Sequence, residues 1–124
     1  RAKTMDAPAV AILGNDHAFY EHNSFFAPHR PGDIANRMSE NPQLIAPWAN
    51  LNGTLQAAYF IMAVRSIGLD AGPMQGLDKD AADEAFWSGT KVKTNFVCSI
   101  GYGDETTVFK KLPRFEVDQV CEIM

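Results

Sequence analysis

The chain has 124 residues, close to half of them apolar, and a formal charge of −4 at neutral pH. It therefore reads as one soluble domain, or part of one, long enough to bury a core without disulfide or metal staples. The mild acidic balance argues against a general nucleic-acid surface while leaving room for local basic patches, and the longest unbroken apolar run, Ala57–Val64, is far short of the ~20 residues that span a bilayer.

Cys98 and Cys121 fit neither a paired-thiol motif nor a zinc-ligand spacing and read as reduced thiols of a cytoplasmic protein. The first six residues carry cations but no apolar stretch of signal-peptide type follows, and position 1 is not Met, so the chain reads as a trimmed protein or a fragment.

In chain order, Ala7–Leu13 is a short apolar run stopped by Gly14-Asn15, which predicts an interior strand with Pro8 among its first residues. From Asp16 to Asn41 the pattern loosens. A short helix near Asp16–Glu21, a mobile covering loop and a second helix around Asp33–Met38 are expected, with Phe19–Phe26 as the part that covers a substrate. Asn41-Pro42 and Pro47 mark entry to a long helix reaching about Ile67. Leu51, Leu55, Ala58, Tyr59 and Met62 form one apolar face of it; Ala57, Phe60, Ile61, Val64 and Ile67 form the other. Apolarity on both faces predicts a central, buried helix.

Gly68 stands where a helix end favours positive φ, and Pro73 forbids a return to helix. Asp78 caps a short amphipathic helix through Trp87, with Gly89 beyond it. Val92–Ile100 is a strand ending at Gly101-Tyr102-Gly103-Asp104, and the rest is a basic loop, Lys110-Lys111-Leu112-Pro113-Arg114, with a short tail element. Helices and strands alternate, as in an α/β or α+β domain.

His17 and Glu21 could share a helix face, but no His-Glu-x-x-His pattern is present, so no metal is assigned. Asn52-Gly53-Thr54 is formally a glycosylation sequon at the start of the buried helix, an accidental match. The Asp78, Asp80, Asp83, Glu84 group is a solvated first turn, lacking the spacing of a calcium loop. Two features hold more chemistry. The Gly72–Gly76 backbone could donate amides of Gln75 and Gly76 to a planar polar ligand, and Lys110, Lys111 and Arg114 could hold a phosphate. Taken alone, an ordinary strand-end turn and a solvated basic loop are the favoured readings of the two.

Leu55-Gln56-Ala57-Ala58-Tyr59, Gly68-Leu69-Asp70-Ala71-Gly72-Pro73-Met74-Gln75-Gly76, Ile100-Gly101-Tyr102-Gly103 and Leu112-Pro113-Arg114, in this order and spacing, closely resemble the C-terminal part of the flavin-dependent nitroreductase family, in particular its malonic semialdehyde reductase branch. The resemblance runs from about Ala7 to the end. It implies an α+β fold, a nitroreductase-like central sheet flanked by helices, with the family's N-terminal part absent, the long helix at a homodimer interface and FMN between subunits. It further implies that Pro73, Gln75 and Gly76 meet the reactive edge of the flavin and that Lys111 meets its phosphate, with Arg114 and Lys110 as weaker candidates for the same role. The activity implied is hydride transfer from NAD(P)H to a small acceptor such as an aldehyde acid, a quinone or a nitro compound, with no catalytic side chain assigned. A second reading, of a different class, is a non-catalytic fragment or interaction module that keeps the fold and the dimer helix but binds no flavin.

Overall fold

The structure is a computed structural model; it describes residues 2–124, with side chains from Thr4 onward. After a single turn of helix, α1 (Ala2–Met5), comes strand β1 (Ala9–Asp16). A 3-10 turn at Phe19–His22 leads into α2 (Asn23–Phe26), followed by α3 (Asp33–Glu40) and a second 3-10 turn at Pro42–Leu44. The long helix α4 (Ile45–Ser66), strand β2 (Asp70–Met74), helix α5 (Lys79–Trp87), strand β3 (Val92–Gly101) and the one-turn α6 (Val117–Val120) complete the order.

The three strands form one antiparallel sheet in the order β1-β3-β2. β3 is central, which accounts for its density of β-branched and apolar residues. Pro73 is tolerated because β2 is an edge strand, where a missing ladder donor costs little. β1 was expected in the interior; within the described sheet it is the opposite edge, and its first two residues are exposed. Its apolar run is half covered by α4 rather than enclosed.

A bulge shifts the β1–β3 register. Leu13 faces Phe96 while the next residue, Gly14, faces Thr94, so Asn95 is the extra residue of β3. Thr94 thereby meets α5: the Trp87 Nε1–H donates to its hydroxyl at 3.1 Å, and its amide donates to Asp83 at 2.7 Å. Asn95 meets α4, donating from Nδ2 to Thr54 Oγ1 at 2.9 Å and to Asn15 Oδ1 at 3.2 Å. Asn15 Nδ2 in turn donates to Asn50 Oδ1 at 2.9 Å. A polar chain, with Asn15 and Asn95 buried and Asn50 and Thr54 at the surface, thus ties β1, β3 and α4, and Gly53 belongs to it, since a Cβ there would overlap Asn15 Oδ1. The apparent sequon has this structural reason: its glycine makes room for Asn15 and its threonine accepts from Asn95.

α4 begins without a side-chain cap but carries Pro47 in its first turn, where an amide would be unpaired anyway. It ends at Gly68, whose φ of 84° lets its N–H reach the Arg65 carbonyl and the Leu69 N–H reach that of Val64. Ala49, Ala57 and Val64 are buried, and Ala57 packs with Phe96 and Cys98, flanked by Leu13, Phe60, Ile61 and Ala71. Leu51, Leu55, Tyr59 and Met62 are exposed, Tyr59 at 78%. The helix is therefore not enclosed as its two apolar faces suggested. One face is covered by the sheet and the other stands open among the described residues.

The 16–41 region differs in detail from the sequence expectation: a 3-10 turn and α2 replace the helix at Asp16–Glu21, and α3 lies near its expected place. Buried Asn23 holds the connection in position, donating from Nδ2 to the Arg30 carbonyl and accepting the Ile34 amide. Fully buried Met38 and the Arg37 guanidinium, 4.8 Å from the Trp48 ring centroid, seat α3 against the start of α4.

Candidate functional site

The Gly72–Gly76 segment occupies the free edge of the sheet and the turn that leaves it. Pro73 lies opposite Cys98 in the β2–β3 register, so the buried thiol and the α4 core sit behind this backbone. Burial pushes the Cys98 thiol above its ordinary pKa, and it stays a neutral core group. Gln75 and Gly76 follow the strand; among the described residues neither amide donates to a backbone carbonyl outside the sheet ladder.

Gly76 is set apart from most other glycines of the chain. Gly32, Gly68 and Gly89 adopt positive φ, while Gly14, Gly53, Gly101 and Gly103 have neighbours that a Cβ would press upon. Gly76 has neither a positive φ nor any heavy atom within 4 Å of a built Cβ. Nothing inside the chain asks for a glycine there, whereas the approach of a flat ligand to the backbone would.

Beside β2 lies a cleft of about 830 Å³, lined by Gly72, Pro73, Met74, Ser99 and Ile100 and by the segment beyond β3 as far as Phe109. It also carries the carboxylates of Asp6, Asp70, Asp104 and Glu105, which makes it unfit for a phosphate. Lys110, Lys111 and Arg114 are exposed and do not line it. One Arg114 guanidinium nitrogen, Nη1, donates to the carbonyls of Leu112 and Pro113. The structure thus places Pro73 on the cleft and Gln75 and Gly76 just past it, but brings neither Lys111 nor Arg114 into described contact with that segment.

A second cavity, of about 590 Å³, lies between the Phe19–Ala27 stretch and the outer face of α4, lined chiefly by Phe19, Tyr20, Phe26, Leu55, Gln56 and Tyr59. Its walls are mostly apolar and aromatic, suited to a flat or aliphatic ligand. Among the described residues no group of three or more His, Cys, Asp or Glu could hold a metal ion, and no helix is long and apolar enough to cross a membrane.

Sequence reasoning missed the acidic lining of the cleft and the role of Asp70, whose carboxylate accepts the Gly103 amide at 2.7 Å. The available signal was an aspartate directly after a helix-ending glycine. It also missed the asparagine chain behind the site, which a polar residue in the middle of a strand could have announced.

A small antiparallel sheet backed by a long helix, with a glycine-bearing edge strand beside an open cleft, is the α+β arrangement of nitroreductases, and solved structures agree. The chain superposes on a provisionally assigned nitroreductase of Bacillus subtilis with a TM-score of 0.86 at 19% identity, covering 98% of this chain and 66% of that one. A nitroreductase family protein of Streptococcus pneumoniae gives 0.79 at 18% identity, with 96% and 66% covered. A provisionally assigned nitroreductase of Exiguobacterium sibiricum, solved in complex with FMN, gives 0.75 at 17% identity, with 98% and 65% covered. In sequence, the chain is 43% identical over all of its 124 residues to a protein of Leptothrix cholodnii provisionally named NADH dehydrogenase/NAD(P)H nitroreductase. A similarly named protein of Burkholderia lata is 44% identical over 122 residues. The chain spans 62% of the length of each of these two curated relatives. No protein-family model matches it. In sequence the chain is similar to these nitroreductase-named proteins, and its fold is that of the solved nitroreductases.

Proposed function

We propose that this chain serves an FMN-dependent NAD(P)H oxidoreductase acting as a cytoplasmic homodimer. The observation that carries the reading is the likeness to proteins named NAD(P)H nitroreductase, which extends over the whole chain and includes Gly72–Gly76. Pro73, Gln75 and Gly76 fit a flavin edge: the backbone is at a sheet margin, Pro73 offers no amide, and Gly76 leaves open space. Lys111, with Lys110 and Arg114 beside it, is the cationic group for the phosphate, since the cleft itself is acidic. When bound, FMN supplies hydride chemistry, and the chain's part is to bind, orient and exclude water. Amides of Gln75 and Gly76 are suited to stabilise negative charge on a flavin ring. The exposed stripe of Leu51, Leu55, Tyr59 and Met62 fits a second copy of the same helix. The Phe19–Phe26 segment and its cavity fit a cover for a small acceptor, for which an aldehyde acid such as malonic semialdehyde is the first candidate.

Purification with added FMN, followed by removal of free dye, tests the reading. Retained yellow colour with NAD(P)H oxidation is expected, and Lys111→Ala should lower flavin retention by roughly tenfold, the worth of one charge-assisted contact. A colourless, inactive chain that still folds and dimerises would instead support the non-catalytic module, a reading favoured by the absence of described contact between the cations and the Gly72–Gly76 edge.

A further inference from the structure

Asp70 is the first residue of β2, paired in register with Gly101 at the end of β3. One of its carboxylate oxygens, Oδ1, is ion-paired with Arg65 in the last turn of α4; the other, Oδ2, accepts the N–H of Gly103 at 2.7 Å. The same Arg65 nitrogen, Nη1, donates to the Leu69 carbonyl at 3.2 Å, so the guanidinium closes the helix-to-strand corner while holding Asp70. A Cβ at Gly103 would come to 2.9 Å from Asp70 Oδ2, so a larger residue there would push the carboxylate from its present place. An exposed ion pair alone contributes little. Here the carboxylate is shared with a backbone amide at the point where the chain leaves the sheet. Beyond Gly103, the turn is closed on Asp104, whose side chain accepts the Thr106 amide and whose carbonyl accepts the amides of Thr107 and Val108. Phe109 then lines the cleft beside Pro73, and Lys110 and Lys111 follow directly.

We propose that Asp70 is a positioning residue: held by Arg65, it fixes through the Gly103 amide the direction in which the chain leaves β3, and so where Lys110 and Lys111 stand relative to the Gly72–Gly76 edge. This rests on the flavin reading for its consequence but not for its geometry. The carboxylate joins the end of α4, the start of β2 and the exit from β3 at one point.

Hydrogen exchange of the full chain, followed by mass spectrometry, tests it on Asp70→Ala and Asp70→Asn. Asp70→Ala should speed exchange across residues 101–109 by roughly tenfold, the effect of losing one charge-assisted hydrogen bond, while β1, α4 and α5 keep their protection. Asp70→Asn keeps an acceptor for Gly103 and should fall between wild type and Asp70→Ala. FMN retention should fall in the same order with the melting temperature little changed. Unchanged exchange over 101–109 in Asp70→Ala overturns the proposal, as does a loss of flavin with no change in exchange, which would mean direct contact. If wild-type chain and both variants alike retain no FMN, the flavin reading fails, and the exchange comparison still decides the role of Asp70.

Discussion

The two faces of α4 are almost equally apolar in composition but unlike in surroundings. The inner face buries Ala49, Ala57 and Val64 and packs the half-buried Phe60 and Ile61 around Phe96 and Cys98. The outer face presents large ones, Leu51, Leu55, Tyr59 and Met62, to the exterior. A stripe of large exposed apolar residues is what an association surface looks like. The difference teaches that one face of the helix has its neighbour among the described residues while the other stands open, as the proposed homodimer requires.

The inner face should be the costly one to disturb. Asn95→Ala leaves the buried Asn15 oxygen without this donor and opens a void at the bulge, and should cost about 3 kcal/mol, read as a lower urea midpoint. Ala57→Leu overpacks the contact with Phe96 and Cys98 and should cost about 2 kcal/mol by the same measurement. A smaller and more local effect is expected on the other side of the sheet, where α5 is held through Asp83. The Thr94 hydroxyl, then its amide, and Lys93 hold that carboxylate at a pKa of about 2, below its ordinary 3.8. Because the folded-state value is depressed, its stabilisation is fully present above about pH 4 and is lost as pH falls toward 2. Trp87 fluorescence should report loosening of α5 over that window, and Asp83→Asn should remove this part of the pH dependence. On the outer face, Tyr59→Gln should change unfolding of dilute chain by less than about 0.5 kcal/mol, as surface changes do, yet weaken self-association in sedimentation. A loss of stability as large as that of Ala57→Leu would end the distinction between the faces.

Much of the fold was legible because local rules and packing agree. Gly68 and Pro73 bracket the helix-to-strand corner by backbone chemistry alone, and Asp78 caps α5 by accepting the Ala81 amide, as its position before an acidic turn suggests. The exposure of Leu55 and Tyr59 was not legible, since periodicity reports which face is apolar but not what lies against it. For the site, the order of the Gly72–Gly76 and Leu112–Arg114 blocks pointed to the proteins that the chain resembles in sequence and fold. Their distance in space was hidden, because it depends on how the chain leaves β3 at Gly103. The asparagine chain was hidden for a similar reason: Asn15, Asn50 and Asn95 read as turn, helix and strand residues with nothing in common until the bulge brings them together.

That bulge carries a consequence for variation in the chain. In a regular strand, odd and even residues alternate between faces, and the extra residue at Asn95 resets this parity partway along β3. Residues on the Val92 side are counted from α5, and residues on the Phe96 side from α4. Deleting one residue at the bulge would therefore leave two halves of a strand whose facing rules conflict, so length at this point is as constrained as composition.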